Sequence, residues 1–320
     1  MNSPVLKEPY LVTFGETMGL LRAEQPGPLA HVTSLGLGIG GTESNVAIGV
    51  QRLGGAAVWC GRVGDDSLGQ LVAREIRAEG VDVRVTVDAG APTGLMLKER
   101  RTPTTQKVSY YRAKSAGSRL SPADLDRDLI AGAAILHLTG ITTAISTTAA
   151  AAVMSAIELA RASGVTVSFD VNYRSNLWGA ADAEAALRQI VPLVDIVFAG
   201  EDEAALIVGP GEPEVLAGRL AALGPAQVVI KRGHRGAMAV IDGETLWQDP
   251  VVVAALDTVG AGDAFVAGYL AEVLRQSGPD ARLALAATTG AFACLSHGDW
   301  EGLPRRDELG LLGATEQVSR

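Results

Sequence analysis

Short apolar segments alternate with helix-like segments along most of this chain, and that alternation constrains the fold more than any other feature. Runs of β-branched and apolar residues are typical of buried strands, whereas apolar residues at the helical period are typical of amphipathic helices. Their alternation predicts an α/β fold with a mostly parallel sheet that is covered on both faces. The predicted strands are residues 10–15, 57–63, 133–138, 165–170, 194–199 and 227–231, and the predicted helices are residues 42–53, 67–79, 147–162, 181–191, 214–223 and 264–274.

Two stretches depart from that alternation and show the two-residue period of half-exposed strands. They are residues 18–22 with 31–37 and residues 94–100 with 107–112. We expect them to form a small separate sheet, inserted from about residues 16–39 and 91–114 into a single domain that spans 1–320. The tail, residues 313–320, is expected to be frayed.

The composition argues against several classes of function. The net charge of −9 contains no run of like charges, which is unlike a protein that binds nucleic acid. The sequence shows no signal peptide and no apolar run long enough to span a membrane, so no membrane partner is expected. Cys60 and Cys294 have neither metal nor redox spacing, which favours a reduced, cytoplasmic protein.

Residues 257–265 (DTVGAGDAF) form a glycine-rich turn that opens a helical segment. Gly260 and Gly262 leave their backbone N–H groups uncovered by side chains. At a helix N-terminus such groups favour an anion, for example a phosphate. Asp263 in the first helical turn is close enough to such an anion to take a proton from an attacking hydroxyl. A phosphate cradle beside a base predicts phosphoryl transfer.

This segment resembles the C-terminal signature of the ribokinase-like (phosphofructokinase-B) carbohydrate kinases, and residues 40–47 (GGTESNVA) resemble the N-terminal signature of that family. The resemblance implies a three-layer α/β/α domain, a small β-sheet that serves as lid and as the contact of a homo-oligomer, and ATP-dependent phosphorylation of a sugar. It also implies that Asp263 is the catalytic base and that the amides of Gly260, Ala261 and Gly262 form the anion hole.

The same resemblance assigns the sugar side of the site. Gly40 and Gly41 would let the backbone approach the sugar closely, and Asn45 can both donate to and accept from sugar hydroxyls. Glu16 follows the first predicted strand, where a functional side chain points into the cleft. Family members that bind neutral sugars carry an acidic residue near this position, so we expect Glu16 to contact the substrate.

Residues 36–41 (GLGIGG) also satisfy the G-x-G-x-x-G pattern of dinucleotide-binding proteins. In those proteins the pattern follows the first strand of a βαβ unit, and the next strand ends in an acidic residue. Here it follows a lid-like segment, and the next strand ends at Arg62 and Val63. The sequence therefore argues against an oxidoreductase, although Arg62 keeps an NADP-type site among the alternatives.

Segments 109–118 and 170–178 resemble those of 2-keto-3-deoxygluconate kinases within the family. Arg112 and Arg174 could converge on one carboxylate through bidentate contacts, and a neutral sugar would not need two arginines. The expected reaction converts 2-keto-3-deoxygluconate to 2-keto-3-deoxy-6-phosphogluconate, with Tyr110, Arg112 and Arg174 placing the substrate. A neutral-sugar kinase, of the fructokinase or ribokinase type, and a non-catalytic sugar or nucleotide sensor are the alternatives.

Residues 228–237 (VVIKRGHRGA) resemble the Lys-x-Gly region that lies near the ATP phosphates in the family, and this resemblance implies the nucleotide side of the site. Glu203 resembles the family glutamate that acts on magnesium-bound water, but Gly200 stands where the family has asparagine, which weakens that assignment. Mg²⁺ needs few protein ligands because it keeps its waters and binds phosphates. Asp257 and Thr258 leave a role for a monovalent cation such as K⁺ open. The predicted nucleotide contacts are Lys231, Gly233, Gly236, Thr258, Gly260 and Gly262.

Overall fold

The computed structural model describes residues 8–102 and 105–313, so the tail predicted to be frayed lies almost wholly outside the described residues. The order of strands and helices follows the predicted alternation through most of the chain. The strands are β1 (Tyr10–Phe14), β2 (Met18–Ala23), β3 (Leu35–Gly40), β4 (Ala56–Gly64), β5 (Asp82–Asp88), β6 (Leu95–Arg100), β7 (Gln106–Tyr111), β8 (Ile135–Thr139), β9 (Thr166–Asp170), β10 (Ile196–Gly200), β11 (Gln227–Lys231), β12 (Ala237–Ile241) and β13 (Glu244–Gln248).

The helices fall between these strands, and each helix predicted from the sequence is present within about two or three residues of its predicted limits. In the part of the chain that the structure describes, no helix combines the length and the apolar character needed to cross a membrane. The helices are α1 (Thr42–Arg52), α2 (Ser67–Ala78), α3 (Arg127–Ala131), α4 (Gly140–Ile145), α5 (Thr147–Ala162), α6 (Ala180–Ile190), α7 (Glu201–Val208), α8 (Pro213–Ala221), α9 (Ala261–Leu274) and α10 (Pro279–Ala293).

The large sheet has the strand order β13-β12-β11-β10-β9-β8-β1-β4-β5. The strands from β11 to β5 pair in parallel, and β12 and β13 add an antiparallel edge. Neither β5 nor β13 was among the predicted strands. Both lie at an edge of the sheet and are only partly buried, so they lack the continuous apolar run that marks an interior strand.

Apolar cores on both faces of this sheet make the predicted three layers. Val12 and Phe14 of β1 belong to one core, together with residues of α5, α6 and α8. Leu11 of the same strand belongs to the other core, with residues of α1, α9 and α10. Because successive side chains of a strand point to opposite faces, this division confirms the three-layer α/β/α fold.

A separate small sheet with the strand order β3-β2-β6-β7 confirms the second sheet that the sequence predicts. The predicted strand at 31–37 is wrong in position, because Leu29–His31 is a 3-10 helix and β3 is Leu35–Gly40. In β3 glycines alternate with apolar residues, so the period is that of a strand although glycine usually indicates a turn. Residues 36–41 thus lie mainly in strand β3. Within the described chain, this segment therefore does not form the turn of a dinucleotide-binding motif.

Candidate active site

A cavity of about 890 Å³ lies between the carboxyl ends of the central parallel strands and the small sheet. Ligands of open α/β sheets bind at this end of the strands. Most of the residues predicted for the sugar and the phosphates line this one cavity, although they come from distant parts of the sequence. They are Glu16, Gly40, Gly41, Asn45, Tyr110, Arg112, Arg174, Glu203, Lys231, Thr258, Gly260, Gly262 and Asp263.

Asp263 is buried in the first turn of α9, with 9% of its surface exposed. One carboxylate oxygen accepts a hydrogen bond from the Thr42 hydroxyl, and the other accepts one from Asn45 Nδ2 at 2.8 Å. The Thr42 hydroxyl in turn accepts a hydrogen bond from Asn172 Nδ2 at 2.9 Å. The start of α1 therefore fixes the orientation of a carboxylate that still lines the cavity.

Burial raises the pKa of Asp263 above its ordinary value. The hydrogen bonds from Thr42 and Asn45, and the positive charges of Arg174 and Lys231, oppose that rise. A general base is most effective when its pKa approaches the operating pH, so a raised pKa favours proton abstraction by this carboxylate.

The turn before α9 depends on glycine at position 260. Gly260 has a φ of 77°, in the left-handed region, and a Cβ there would overlap the backbone carbonyl of Asp299. Within the described chain, the amides of Gly260 and Gly262 donate to no protein acceptor, whereas the amide of Ala261 donates to Thr258 O at 3.3 Å. Two of the three predicted anion-hole amides are therefore free to bind an anion, and the third is held by a long hydrogen bond.

Gly40 and Gly41 are required by close packing. A Cβ at Gly40 would overlap the Met96 side chain and the Asp299 carboxylate, and a Cβ at Gly41 would overlap the backbone that leads into β2. The φ of Gly41 is −175°, an extended value that any residue adopts, so space decides this position. Both glycines bring the start of α1 against the wall of the cavity.

Glu16 is buried after β1, and both of its carboxylate oxygens are occupied by protein donors. Arg112 donates a hydrogen bond from Nε to one oxygen at 2.7 Å and forms an ion pair with the same oxygen through Nη2 at 2.6 Å, and the Ser115 hydroxyl donates to the other oxygen. The ring of Tyr110 lies 5.9 Å from the Arg112 guanidinium carbon and is partly exposed to the cavity. The positive charge of Arg112 is therefore largely neutralised by Glu16.

Arg174 lies just after β9, is exposed, and lines the cavity. Its side chain makes no hydrogen bond or ion pair with any residue that the structure describes. Its charge is nevertheless close enough to lower the pKa of Asp263. Arg174 thus presents an unmatched positive charge near the buried carboxylate.

Lys231 ends β11 and binds both oxygens of Asp170, at 2.6 and 2.8 Å. Burial lowers the pKa of the lysine, but the negative charges of Asp170, Glu203 and Asp263, together with the hydrogen bond to Asp170, raise the pKa overall, so Lys231 stays charged. Glu203 accepts hydrogen bonds from the amides of Gly200 at 2.6 Å and Tyr173 at 2.9 Å, and so caps α7. Carboxylates beside a lysine suit a cation bound to phosphates.

A second cavity, of about 600 Å³, holds the other predicted nucleotide residues, Gly233 and Gly236, together with Ala261. Its walls are mainly apolar and include Val251, Phe265 and other residues of the 250–255 segment and α10. The two cavities share Lys231, Arg232, Thr258 and Gly262, so they meet at the start of α9. These adjoining cavities suit a nucleotide whose heterocyclic base lies in the apolar cavity and whose phosphates lie at the glycine turn.

Several functional neighbours were not identified from the sequence. Thr42 and Asn172 fix Asp263, and Lys98 binds the Asp299 carboxylate across the cavity wall. The first two lie inside motifs that were singled out, so their polar character was a usable signal. Lys98 carries no such signal, because its partner is 201 positions away.

Comparison with known proteins gives the same family throughout. A model of the pfkB family carbohydrate kinases matches residues 8–306. A 2-dehydro-3-deoxygluconokinase from Thermoproteus tenax is 38% identical over 92% of this chain and 91% of its own length. A 2-dehydro-3-deoxygalactonokinase from Haloferax volcanii is 36% identical over 90% and 92%, and a fructokinase from Klebsiella pneumoniae is 34% identical over 84% and 90%.

Solved structures agree. A PfkB protein from Polaromonas sp. JS666 superposes with a TM-score of 0.85 at 36% identity, covering 94% of this chain and 98% of that one. A putative ribokinase II from E. coli, in complex with ATP and Mg²⁺, superposes with a TM-score of 0.88 at 25% identity, covering 95% and 98%.

Proposed function

The chain belongs to the pfkB family of carbohydrate kinases, which makes it an ATP-dependent sugar kinase, and from this premise we propose that it phosphorylates a sugar acid. The proposed reaction transfers the γ-phosphoryl group of ATP to the primary hydroxyl of 2-keto-3-deoxygluconate and gives 2-keto-3-deoxy-6-phosphogluconate. Relatives named for 2-dehydro-3-deoxygluconate and 2-dehydro-3-deoxygalactonate support this substrate class. The unmatched charge of Arg174 carries the proposal.

The charge balance of the larger cavity explains why Arg174 matters. Among its described residues, each basic side chain other than Arg174 has a carboxylate partner. A neutral sugar would leave the Arg174 charge unmatched, whereas a substrate carboxylate can accept two parallel hydrogen bonds from its guanidinium. The existing pairs are Lys98 with Asp299, Arg112 with Glu16, Lys231 with Asp170, and Arg232 and Arg235 with Glu201.

Asp263 is the proposed general base. Its carboxylate accepts the proton of the primary hydroxyl while that oxygen forms its bond to the γ-phosphorus and the bond to the ADP oxygen breaks. The free amides of Gly260 and Gly262 would receive the charge that develops on the transferred group. Thr42 and Asn45 keep the carboxylate aimed into the cavity, since each holds one of its oxygens.

We propose that the guanidinium N–H groups of Arg112 that do not bind Glu16 help to orient the substrate. Tyr110, Asn45 and the backbone at Gly41 would contribute to the same task. Arg112 is already held by Glu16, so it offers hydrogen-bond donors in a fixed direction with little net charge. Such a group suits a keto or hydroxyl oxygen as well as one oxygen of a carboxylate.

ATP is proposed to place its base in the apolar cavity and its phosphates at the shared turn, beside Lys231 and Thr258. The oxygen donors present fit Mg²⁺, because Asp170 and Glu203 offer carboxylates near Lys231 and this ion prefers oxygen ligands. Glu203 would hold it through water. The bound ion would neutralise charge on the phosphates during transfer.

A fructokinase type of activity is the second candidate. It is favoured by the Glu16–Arg112 pair, which leaves Arg174 as the one unmatched cation among the described residues of this cavity, and by the fructokinase relative. The two candidates differ in the role of Arg174, because only an acid substrate has a carboxylate that can pair with its charge.

The test is an ADP-release assay with ATP and Mg²⁺ against 2-keto-3-deoxygluconate, 2-keto-3-deoxygalactonate, gluconate, fructose and ribose. We expect turnover to concentrate on the two keto-deoxy acids. Arg174→Leu should raise KM for the acid by about 10- to 100-fold, the loss of a charged hydrogen bond, and leave KM for ATP nearly unchanged. Arg188→Leu, at an exposed arginine of α6, is the matched control.

Two outcomes separate the possibilities, and one added experiment tests the monovalent cation. Turnover on fructose or ribose that Arg174→Leu does not alter would establish the neutral-sugar kinase and refute the sugar acid. An equal rise of KM for the acid and of KM for ATP in Arg174→Leu would refute the contact of Arg174 with the substrate carboxylate. Replacing K⁺ by tetramethylammonium in the same assay tests the monovalent cation.

A further inference from the structure

A buried ion pair joins the small sheet to the main body beside the cavity. Lys98 of β6 is 2% exposed and donates to one carboxylate oxygen of Asp299, in the loop after α10. Both residues line the larger cavity. A buried pair contributes little to stability on average, because desolvation offsets the attraction between the charges. Its position at the cavity is therefore the more informative feature.

Asp299 also contacts the turn that leads into α9. Its backbone carbonyl lies against the Cα of Gly260, where a Cβ would overlap it, and its carboxylate lies against Gly40. Asp299 thus contacts Lys98 of the small sheet, Gly40 at the start of the sugar-side motif, and the Cα side of Gly260, whose amide is the first of the proposed anion hole. Any shift of Asp299 changes the space available to Gly260.

The loop that carries Asp299 is held firmly from the other side. Arg52 of α1 donates to the carbonyls of Trp300, Glu301 and Leu303 at 3.3, 3.2 and 2.6 Å. Glu301 accepts hydrogen bonds from the amides of Asp299 at 2.9 Å and Trp300 at 3.2 Å. Because the backbone after Asp299 is fixed to α1, the rest of the loop cannot take up a displacement of Asp299. Such a displacement is therefore passed on to the adjacent Gly260.

We propose that Lys98 is a positioning residue for phosphoryl transfer, which acts through Asp299 to hold the small sheet in register with the anion-hole turn at Gly260. This inference rests on the proposed function only in assigning the transferred phosphoryl group to that turn. Without the lysine charge, the lid strand loses its tie to Asp299, the turn shifts, and water reaches the phosphoryl group.

The kinetic test compares Lys98→Met, Lys98→Arg and the control Arg22→Met. Arg22 also belongs to the small sheet and pairs with Glu301 at 3.5 Å, but near the surface. Lys98→Met should lower kcat by about 100-fold, as expected for a misplacement near 1 Å, with KM for ATP nearly unchanged. It should also release more ADP than phosphosugar. Lys98→Arg should recover most of kcat, and Arg22→Met should resemble the wild type.

A double variant separates positioning from folding. Lys98→Met leaves the Asp299 carboxylate buried without its partner, whereas Lys98→Met/Asp299→Asn removes both charges. We expect the double variant to regain thermal stability while kcat stays low. Recovery of kcat with stability would show that the pair is merely structural and would overturn the inference.

Amide hydrogen exchange makes the inference independent of substrate identity. In Lys98→Met, exchange should accelerate in β6 and also in the turn at 258–263, whereas in Arg22→Met the turn should keep its protection. Acceleration confined to the small sheet would refute the coupling. If the wild type phosphorylates only a neutral sugar, the proposed substrate fails, and the kinetic comparison proceeds on that sugar with the same expectations for Lys98.

Discussion

Glu43 lies behind the cavity and offers a quantitative test of the electrostatics of the site. It is 1% exposed in the first turn of α1, and its Oε1 accepts hydrogen bonds from the hydroxyls of Thr139 at 2.6 Å and Thr142 at 2.5 Å. Within the described chain, Oε2 has no hydrogen-bond partner and lies against Gly15. Burial, with a smaller contribution from the charge of Asp263, raises the pKa of Glu43 from 4.5 to about 7 despite those two hydrogen bonds.

This shift makes the stability of the protein depend on pH in a defined direction. The folded state has the higher pKa, so as pH rises the unfolded chain releases its proton first, and stability falls between about pH 4.5 and pH 7. Relative to low pH, where Glu43 is protonated in both states, the rise of its pKa from 4.5 to about 7 lowers the free energy of unfolding by about 3 kcal/mol at pH 8 and by about 1 kcal/mol or less at pH 5. The loss is complete above the folded pKa.

Glu43→Gln removes the ionisation and keeps an oxygen that can accept from both threonines. The gain in free energy of unfolding of the variant over the wild type should therefore grow by about 2–3 kcal/mol between pH 5 and pH 8. Any cost of burying the new amide N–H groups adds an offset that does not depend on pH. Using the change with pH as the readout separates the two effects.

The assay is urea unfolding followed by circular dichroism at several pH values from 5 to 8. The control is Glu184→Gln, at an exposed glutamate of α6 that pairs with Arg188 across one helical turn. This control should not develop a comparable gap from the wild type as pH rises. A gap for Glu43→Gln that stays constant within about 1 kcal/mol would mean that the Glu43 carboxyl is ionised throughout, and would refute the argument from burial.

Three further outcomes test the chemistry. Asp263→Asn should lower kcat by about 10²–10⁴ while ATP binding by calorimetry persists; substantial residual turnover would exclude it as the base. Gly260→Ala should lower kcat by about 10²-fold and reduce the melting temperature, because its Cβ overlaps Asp299 and its φ is 77°. Wild-type kinetics in that variant would contradict the geometry of the turn. Chelation by EDTA should stop turnover and added Mg²⁺ should restore it, and activity without metal would contradict the role of Mg²⁺.

The fold was largely predictable because its periodicity is local. Interior strands such as β10 (IVFAG) and β11 (QVVIK) contain continuous apolar runs, and α5 carries apolar residues at the helical period. The strand β5 (DVRVTVD) alternates polar and apolar residues at an edge of the sheet, so it lacked the signal of a buried strand. The strand β3 was displaced because its glycines suggested a turn.

The candidate site was predictable as a set of motifs but not as a set of pairs. The Asp263 segment and the Asn45 segment could each be read separately, whereas the hydrogen bond from Thr42 to Asp263 spans 221 positions. Local pattern carries no information about which distant side chains meet. The same reason hides the contact between Lys98 and Asp299.

Pairing changes the chemical meaning of residues that the sequence presents singly. Read alone, Glu16 is a hydroxyl ligand and Arg112 is half of a carboxylate clamp, but in the fold each occupies the other. In the proposed function, selection for a negatively charged substrate would therefore depend mainly on Arg174, which has no protein partner among the described residues. A substrate carboxylate that binds Arg174 would reduce the positive charge near Asp263. Because that charge holds down the pKa of Asp263, substrate binding would raise it further and strengthen the base when a hydroxyl is present.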